Sequence, residues 1–496
     1  MTSSRWVTRF NPQQNWGYQT VPQKHITGLA MSYDRGKGLG GSSAINFSCY
    51  TVGPRDDYDE IARLVGDDEW EWVKAQNRYK RLESYYGSAP DVPDQYVKYL
   101  KPDPANHGTD GPLKIGFPSV WEKSMMDLTD VFVEAGYPAN PDGNSGDPIG
   151  FSVSPNSAYK GLRTTSADLL VDAPGNLRIL VDTQVARVIF EEKTAIGVTT
   201  VDGQTFLASK DVILSAGSLD TPKILMLSGI GPVDDLRKFN IPVLEDLAAV
   251  GKNMHDHHHV FLTWERADHT TERKDYYRSK EMQAAAREQW EKDQTGKLSE
   301  IGCVMAIGWL KSDAVYQSEE FKALPKHRRD HLLKPTVPLF EVGINPANPQ
   351  YFIDPDNAPA LAAITVFNLN TESKGSVTLQ SANPKDPLLY DPNFFSHAYD
   401  RRVAIEGVRE VLKVVQHPAF QKDTIKAIDA PKSDSDEDIL EHWKKSMTSG
   451  STFHMTGTCK MGRVGEEDAC VDKDFKVIGV KNLRVADMSV IPLLPK

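Results

Sequence analysis

The chain has 496 residues, of which 40% are hydrophobic and 25% are charged, and its formal net charge is -11. This length is too great for one hydrophobic core, so the sequence predicts a globular protein of two or three domains. The negative charge argues against a nucleic-acid partner and against an anionic membrane surface, because both would need a basic face.

The same sequence predicts a protein of the reducing intracellular or cytoplasmic compartment. No apolar run approaches the roughly 18 residues that a membrane-spanning helix needs, so no membrane span is expected. The first ten residues show no apolar segment of a secretory signal. The four cysteines include no Cys-x-x-Cys pair, which indicates neither a disulfide framework nor a zinc site.

The first stretch with a chemical pattern is the glycine-rich segment Arg35–Asn46. It contains Gly36-x-Gly38-x-x-Gly41, the spacing of a dinucleotide-binding turn. That turn needs a buried strand directly before it, and residues 29–34 make a poor strand. Two interpretations stay open here. One is a loop whose bare backbone lies against a flat or phosphorylated ligand before a helix at 42–50, and the other is a tight helix-packing turn.

The next part of the chain predicts helices, then short strands, then a strand–helix junction. The helices are expected at 57–85 and 127–135, and the strands at 177–181, 185–190 and 195–199. Asp211–Gly217 is typical of a strand buried on both faces. Thr221-Pro222 predicts a helix start with the threonine as N-cap. A strand–helix junction of small residues is where an α/β sheet commonly binds a cofactor.

The segment His255–His259 carries four histidines and one aspartate. On an extended backbone, consecutive side chains point to opposite faces. At most two of the three consecutive histidines could therefore share an ion. We predict no metal site.

The second half of the chain is predicted to form part of a second domain, and its last segment is predicted to belong to the first domain. The expected elements are a helix at 279–295 within the charge-rich residues 264–344, a loop at 345–359, strands at 362–370 and 375–379, a helix at 399–415, and a buried strand at 483–492 with Asp487 as the acid where it ends.

The segment Phe453–Gly462 brings together one imidazole, two threonines, one thiol and two glycines. Glycines let a backbone approach a flat ligand, because no Cβ stands in the way. The imidazole of His454 could take or give a proton near neutral pH. Considered alone, a structural histidine in a loop is the simpler interpretation.

Taken together, these segments resemble the glucose–methanol–choline (GMC) family of flavin-dependent oxidoreductases. Five segments match the family's motifs in the family's order, and they are Trp16–Gln23, Gly36–Asn46, Ser215–Pro232, Val250–His257 and His454–Thr458. Each motif is weak by itself, but five in order are specific. The resemblance therefore favours a catalytic His454 over a structural one.

The resemblance implies an α/β fold (α+β overall) with two domains. One is an FAD/NAD(P)-binding, Rossmann-like domain that is discontinuous in sequence and comprises residues 1–60, 155–260 and 446–496. The other is a substrate-binding domain of helices and an antiparallel sheet, comprising residues 61–154 and 261–445.

The resemblance also implies roles for particular residues. The cofactor-binding residues would be Arg35, Gly38, Gly40, Gly41 and Ser42 along the FAD, Asn46 near the flavin ring, Val185 and Ala216 near the adenosine, and Asp487 near the linker. His454 would accept the alcohol proton while hydride passes to the flavin. Some family members attach the flavin to a histidine of the glycine-rich loop. Ile45 occupies that position here, so we expect non-covalent FAD.

The function that follows is FAD-dependent oxidation of the CH–OH group of a small-molecule alcohol. Two alternatives remain: a non-redox lyase or cyclase on the same scaffold, and a truncated remnant without catalytic activity. A Ser-His-Asp hydrolase is disfavoured because the sequence has no Gly-x-Ser-x-Gly.

Against the family pattern, we expect the chain to be truncated at both ends. It starts downstream of the family's first strand, Gly-x-Gly-x-x-Gly turn and helix. It ends at Lys496, short of the loop that carries a second catalytic His or Asn in the family.

Overall fold

The fold is described from a computed structural model, which defines residues 9–87, 92–117, 123–271, 273–299, 306–344, 350–445 and 449–495. Cys303 and the part of the predicted loop at 345–349 lie outside these residues. Within them, no helix has both the length and the apolar character needed to cross a membrane.

The strands are short, apart from those of one large sheet. In chain order they are β1 Tyr18–Gln19, β2 Ser32–Tyr33, β3 Glu83–Tyr85, β4 Leu113–Ile115, β5 Gly150–Val153, β6 Ala158–Tyr159, β7 Leu162–Arg163, β8 Val185–Glu191, β9 Thr194–Thr200, β10 Thr205–Leu207, β11 Val212–Leu214, β12 Ile230–Gly231, β13 Glu245–Asp246, β14 His258–Arg266, β15 Ala306–Leu310, β16 Phe340–Ile344, β17 Leu361–Asn368, β18 Ser376–Leu379, β19 Leu388–Asp391, β20 Thr424–Asp429, β21 Gly450–Ser451 and β22 Leu483–Val485.

The α-helices range from single turns to one of 17 residues. In chain order they are α1 Arg55–Val65, α2 Trp72–Leu82, α3 Lys123–Glu134, α4 Gly217–Leu227, α5 Val233–Lys238, α6 Arg273–Arg278, α7 Lys280–Asp293, α8 Asp313–Gln317, α9 Glu319–Lys322, α10 Lys326–Leu332, α11 Gln350–Ile353, α12 Ala398–Val414, α13 Pro418–Gln421 and α14 Asp436–Lys445.

The large sheet has six strands in the order β15-β16-β17-β14-β20, with β21 also paired to β14. Its neighbouring strands are antiparallel. Alternate residues of its central strands enter one hydrophobic core, among them Val260 and Leu262 of β14, Phe340 and Val342 of β16, and Ile364 and Val366 of β17. This alternation follows from the two-residue period of a strand.

Helix α12 covers this face of the sheet. Its buried positions include Val403, Val408 and Val411, so one side of the helix is apolar. Gly407 allows the close approach, because a Cβ there would lie 2.9 Å from a methyl carbon of Val366. Sheet and helix together form the larger of the two main cores.

The second core surrounds a parallel strand pair and helix α4. Strand β11 pairs in parallel with β22, and Leu214 lies opposite Val485. The antiparallel strands β8, β9 and β10 form a neighbouring three-stranded sheet. Buried side chains of both sheets and of α4, such as Val188, Leu214 and Leu225, belong to one cluster. The molecule thus combines parallel and antiparallel sheets with helices, as the predicted α/β (α+β) fold class requires.

The two cores do not by themselves fix the domain boundaries. The hairpin β18–β19 contributes Val377 and Tyr390 to the core around α4, although we predicted residues 261–445 for the substrate-binding domain. In the other direction, Ile26 and Met31 belong to the core of the large sheet. The division into domains stays a prediction.

Several elements differ from the sequence-based prediction. The helix predicted at 57–85 is divided into α1 and α2 and ends in strand β3, and the strand predicted at 483–492 ends at Val485. The helix predicted at 42–50 is only a short 3-10 helix at Gly41–Ala44.

Residues 177–181 form no strand, and their Leu180 and Val181 are 58% and 61% exposed. A strand needs a hydrogen-bonding neighbour, and no described strand pairs with this segment. Strand β11 is buried on one face only, because Ile213 is 58% exposed. Helix α4 begins at Gly217 with Ala216 as N-cap, so Thr221 lies inside the helix.

Candidate functional site

The segment that carries His454 runs antiparallel to the histidine-rich segment. Strand β21 pairs with the start of β14. Thr456 and His255 exchange two backbone hydrogen bonds, of 2.9 and 3.1 Å. This pairing places His454 beside His257, although the two lie 197 positions apart in the sequence.

The buried carboxylate of Asp256 holds both histidine segments. Its Oδ1 accepts the backbone N–H of His454 and that of His257, each at 2.9 Å. Its Oδ2 accepts the hydroxyl groups of Tyr33, at 3.1 Å, and Ser451. Burial raises the pKa of Asp256 to about 6, and the hydrogen bonds from Ser451, His454 and Tyr33 oppose this rise. The arrangement fixes the backbone on both sides of the His454 side chain.

Arg35 joins the glycine-rich loop to the segment of His454. Its guanidinium donates to the carbonyl oxygen of Phe453 and, at 3.5 Å, to the Ser42 hydroxyl. It also lies over the ring of Tyr33, 5.1 Å from the ring centroid. The sequence assigned Arg35 and Ser42 to the cofactor. Arg35 thus contacts the residue before the predicted base, and Ser42 lies beside Arg35.

The His454 imidazole is neutral near pH 7. The residue is exposed to solvent. The surrounding protein nevertheless disfavours the charged form, and together with the positive charge of Arg35 it lowers the pKa of His454 to about 4. Its Nδ1 lies 3.3 Å from Nδ1 of His257. A neutral imidazole of this kind can accept a proton from a bound group.

The glycine-rich loop presents bare backbone to the outside. Gly40 has a φ of +87°, in the left-handed region that glycine tolerates best. At Gly38 and Gly41, no atom of the residues that the structure describes lies within 4 Å of the position that a Cβ would take. The Ser42 hydroxyl accepts the backbone N–H of Gly36 at 3.2 Å, which closes the loop on itself.

Asn46, predicted near the flavin ring, is exposed but already has protein partners. Its Oδ1 accepts from Arg163 at 2.7 Å and from the backbone N–H of Ser48 at 3.0 Å. Arg163 also donates to the carbonyl oxygens of Ser43 and Asn46. These bonds hold the end of the glycine-rich segment in place.

Two further predicted residues, Ala216 and Asp487, meet where strands β11 and β22 end. Ala486 follows β22 directly, Ala216 is the second residue after β11, and both are exposed. The Asp487 carboxylate accepts the backbone N–H of Gly217 at 2.9 Å and the hydroxyl of Thr221 at 2.5 Å. The carboxyl ends of parallel strands, followed by a helix N-terminus, are the usual ligand position in an open α/β sheet.

Helix α4 connects these strand ends to the His454 segment. The Ser218 hydroxyl donates to the carbonyl oxygen of Met455 at 2.8 Å. In return, the Thr458 hydroxyl donates to the carbonyl oxygen of Ser218 at 2.7 Å. Pro222 leaves that carbonyl without its usual helical partner, because proline has no N–H. The loop of His454 is therefore attached to a position that the helix itself cannot satisfy.

Val185 is the first residue of strand β8. Its backbone pairs with Thr200 in β9. Further along β8, the backbone N–H of Val188 donates at 2.9 Å to Ser228, which follows the C-terminal end of α4. That Val185 approaches a cofactor stays a prediction.

The sequence analysis did not identify three residues that organise the site: Tyr33, Asp256 and His257. The Tyr33 hydroxyl accepts the backbone N–H of Met455 at 3.2 Å while it donates to Asp256. Asp256 and His257 were considered only as parts of a family motif and of a metal cluster. The signal that could have identified them in the sequence was an aspartate directly before a histidine, Asp256-His257.

The neighbouring histidines lie in different surroundings. The His258 ring packs on Phe394, with ring centroids 4.7 Å apart, and its Nε2 lies 3.0 Å from the Ser449 hydroxyl. The His259 ring contacts Phe367 instead. In the part of the chain that the structure describes, no three His, Cys, Asp or Glu side chains gather as metal ligands would.

Known proteins of one enzyme family are similar to this chain in sequence and in fold. Two sequence models described as GMC oxidoreductase match the chain, an N-terminal one at residues 24–259 and a C-terminal one at residues 371–496. A glucose methanol choline oxidoreductase of Aspergillus terreus is 31% identical over 492 residues, which cover 97% of this chain and 78% of the relative. An alcohol dehydrogenase (acceptor) of Pseudomonas putida is 29% identical, over 97% of this chain and 82% of its own length.

A solved structure shows the same fold over the whole chain. A variant of formate oxidase from Aspergillus oryzae, studied for its FAD modification, superposes with a TM-score of 0.86 at 26% identity, over 100% of this chain and 87% of that one. The two sequence models and the superposed structure therefore support the same family. The chain belongs to the GMC oxidoreductase family.

Proposed function

We propose that this protein is an FAD-dependent oxidoreductase that oxidises the CH–OH group of a small alcohol, with His454 as the proton acceptor. The observation that supports this most directly is the position of a neutral, exposed imidazole beside the glycine-rich loop and α4. The similar protein of Pseudomonas putida carries the name of an alcohol dehydrogenase, which supports the substrate class.

The residues present fit FAD. Gly38 and Gly41 face open space, so a flat or phosphorylated group can contact their backbone. Arg35 has a buried Nε without a hydrogen-bond partner among the described residues, which suits a ligand rich in acceptor atoms. Ala216 would contact the cofactor at the strand ends, and Asp487 would orient the first turn of α4 there. FAD, when bound, supplies the two-electron acceptor that the side chains of a protein lack.

We expect FAD to be held without a covalent bond because of the residue at position 45. Ile45 is 6% exposed and its side chain has no nucleophilic atom. The flavin should therefore be released when the protein is denatured with acid, and a yellow precipitate would contradict this expectation.

His454 would act on the hydroxyl of the alcohol. A C–H bond next to oxygen becomes a better hydride donor as the O–H proton leaves. At neutral pH the imidazole is free to take that proton, because its pKa is lowered to about 4. The hydrogen bond from the His454 backbone to Asp256 and the contact of Arg35 with Phe453 hold the imidazole in place. Such positioning lowers the entropic part of the barrier.

The test uses the purified chain supplemented with FAD and mixed anaerobically with a panel of small alcohols. Loss of the flavin absorbance would show substrate oxidation. His454→Ala should slow this reduction by roughly 10²- to 10⁴-fold, the usual contribution of a general base. His327→Ala, which removes an exposed histidine of α10, is the matched control.

Two outcomes would contradict the proposal in different ways. A chain that stays colourless with added FAD would exclude the flavin-dependent reaction. A His454→Ala rate within about twofold of the parent, far below the loss expected for a general base, would exclude His454 as the proton acceptor.

A further inference from the structure

His257 is a buried histidine for which the proposed reaction has no role so far. It is 3% exposed. Its Nδ1 is 3.3 Å from Nδ1 of His454, and the two rings stand at 85° to each other. This contact joins the ring of the proposed base to a second imidazole.

The contact restricts the tautomers of both rings. A neutral imidazole carries one N–H, on Nδ1 or on Nε2. Two Nδ1 atoms can share a hydrogen bond only if one of them carries the proton. If His257 carries it, His454 has its proton on Nε2 and has no nitrogen left to accept a proton from an alcohol. If His454 carries it, its Nε2 is free to accept a proton and His257 must be protonated on Nε2.

The second arrangement is the one that the proposed reaction requires, because it leaves Nε2 of His454 free, and the surroundings of His257 can support it. Its Nε2 is buried and has no partner among the described residues. His257 borders a cavity of about 10 Å³, which is also lined by His255, Asn370, Thr371, Leu493 and Leu494. A cavity of this size holds about one water molecule if polar atoms face it.

Asn370 supplies the acceptor that such a water needs. Its side-chain N–H₂ donates to the carbonyl oxygen of Pro338 at 2.9 Å. Its Oδ1 is buried and has no partner among the described residues. A water in the cavity can therefore accept from the Nε2–H of His257 and donate to Asn370, which satisfies two buried polar atoms at once.

We propose that His257 is a positioning residue that holds His454 in the Nδ1–H tautomer, and that one buried water holds His257 in the Nε2–H tautomer. The inference rests on the proposed function, in which His454 accepts the alcohol proton. In that step the proton of the alcohol O–H goes to Nε2 of His454, and no proton moves to His257. The Nδ1–H of His454 then donates to His257 as a charge-assisted hydrogen bond.

His257 can remain a neutral acceptor throughout this step. Burial, and then the neighbouring His454 and His255, lower the pKa of His257 well below its usual value. Asp256 bonds to the backbone of His257 and not to its ring. A charged His257 next to a charged His454 is thereby avoided.

The first test reads the tautomers directly. The full chain is labelled with ¹⁵N-histidine, and the ring nitrogens are assigned by comparison with His454→Ala and His257→Phe. We expect an Nδ1–H signal for His454 and an Nε2–H signal for His257 in the parent at neutral pH. An Nε2–H signal for His454 would overturn the inference. This measurement needs no turnover, so a failure of the proposed oxidation would not be mistaken for a failure of the inference.

The second test is a double-mutant cycle on flavin reduction. His257→Phe keeps a ring but removes the acceptor, and it should slow reduction at saturating alcohol by roughly 10²-fold, within the range of general-base effects, with little change in KM. His257→Asn offers an amide oxygen near the place of Nδ1 and should recover part of the rate. In the His454→Ala background, His257→Phe should have no further effect, because the two residues act as a unit.

Additive losses in this cycle would overturn the inference, since they would mean that His257 acts independently of His454. If His257→Phe does not fold, His257→Asn in the NMR experiment decides the question: loss of the Nδ1–H signal of His454 there would contradict the role of the acceptor. A high-resolution crystal structure tests the water. Density within hydrogen-bonding distance of both His257 Nε2 and Asn370 Oδ1 is expected, and an empty cavity would overturn that part.

Discussion

Replacing Asp256 by alanine should loosen the segment that carries His454. The substitution leaves two buried backbone N–H groups, those of His257 and His454, without the oxygen that now accepts both at 2.9 Å. Each buried donor left without a partner costs about 1–3 kcal/mol. Only the His454 donor lies within residues 451–458. Since about 1.4 kcal/mol corresponds to a tenfold change, the loss of its partner alone should accelerate amide exchange there roughly 5- to 150-fold.

Asp256→Asn should give an intermediate result. The amide oxygen can replace Oδ1 and keep both backbone donors, while the new N–H₂ group faces the hydroxyls of Tyr33 and Ser451. The Ser451 hydroxyl can rotate and accept instead of donate. Asp256→Asn should therefore destabilise the segment less than Asp256→Ala. It weakens the charge-assisted hydrogen bonds, but it keeps an acceptor for the two backbone N–H groups.

Hydrogen exchange measured by mass spectrometry on peptides that cover residues 451–458 gives the local readout. Asp400→Ala is the matched control, because this buried carboxylate also accepts two backbone N–H groups, those of Glu372 at 2.7 Å and Ser373 at 2.8 Å. Its effect should appear at residues 372–373 and spare residues 451–458. Exchange in residues 451–458 of Asp256→Ala within about twofold of the parent, the scatter of a neutral substitution, would refute the reasoning.

Three other predictions follow from the charges and the packing. The rate of flavin reduction should rise with pH through an inflection near the pKa of about 4 of His454 and stay level above it, and stopped-flow data with an inflection at 6.5 or higher would contradict this. Burial opposes the charge of His107, but its hydrogen bonds to two acids, the first to Asp142, raise its pKa to about 9. The charged His107 should therefore stabilise the fold fully below pH 6.5, and up to about 3 kcal/mol of the free energy of unfolding should be lost as the pH rises to 9. Urea titrations of His107→Gln should not show this loss. Gly407→Ala should lower stability by about 1–3 kcal/mol through overpacking against the large sheet, whereas Gly175→Ala, with no atom within 4 Å of its Cβ position, should be neutral in thermal unfolding.

Patterns of residues close in sequence were reliable where one local rule decides the outcome. The helix predicted at 279–295 is found at Lys280–Asp293, and the Ser279 hydroxyl caps it by accepting the N–H of Met282. The helix predicted at 399–415 is found at Ala398–Val414. Both follow from apolar spacing and capping, which need no information about distant residues.

Local rules failed where a distant partner decides. Leu180 and Val181 have the composition of a strand, but a strand forms only beside another one. Thr221 looked like an N-cap before a proline. In the fold its hydroxyl instead donates to Asp487 and accepts the backbone N–H of Ala216, and α4 starts before it. The competing bond comes from a residue 266 positions away.

The sequence by itself determined the family, the α/β fold class and the candidates for the site, because five motifs in a set order can be identified from the sequence alone. It also pointed to His454 as the base. Only the tertiary structure decided that Asp256 clamps the backbone of His454 and that the ring of His257 meets the ring of His454. These contacts depend on the antiparallel pairing of β14 with β21, which brings together segments almost 200 residues apart in the chain. Long-range pairing is settled by the packing of the whole fold, and no local pattern encodes which side chains it will bring face to face.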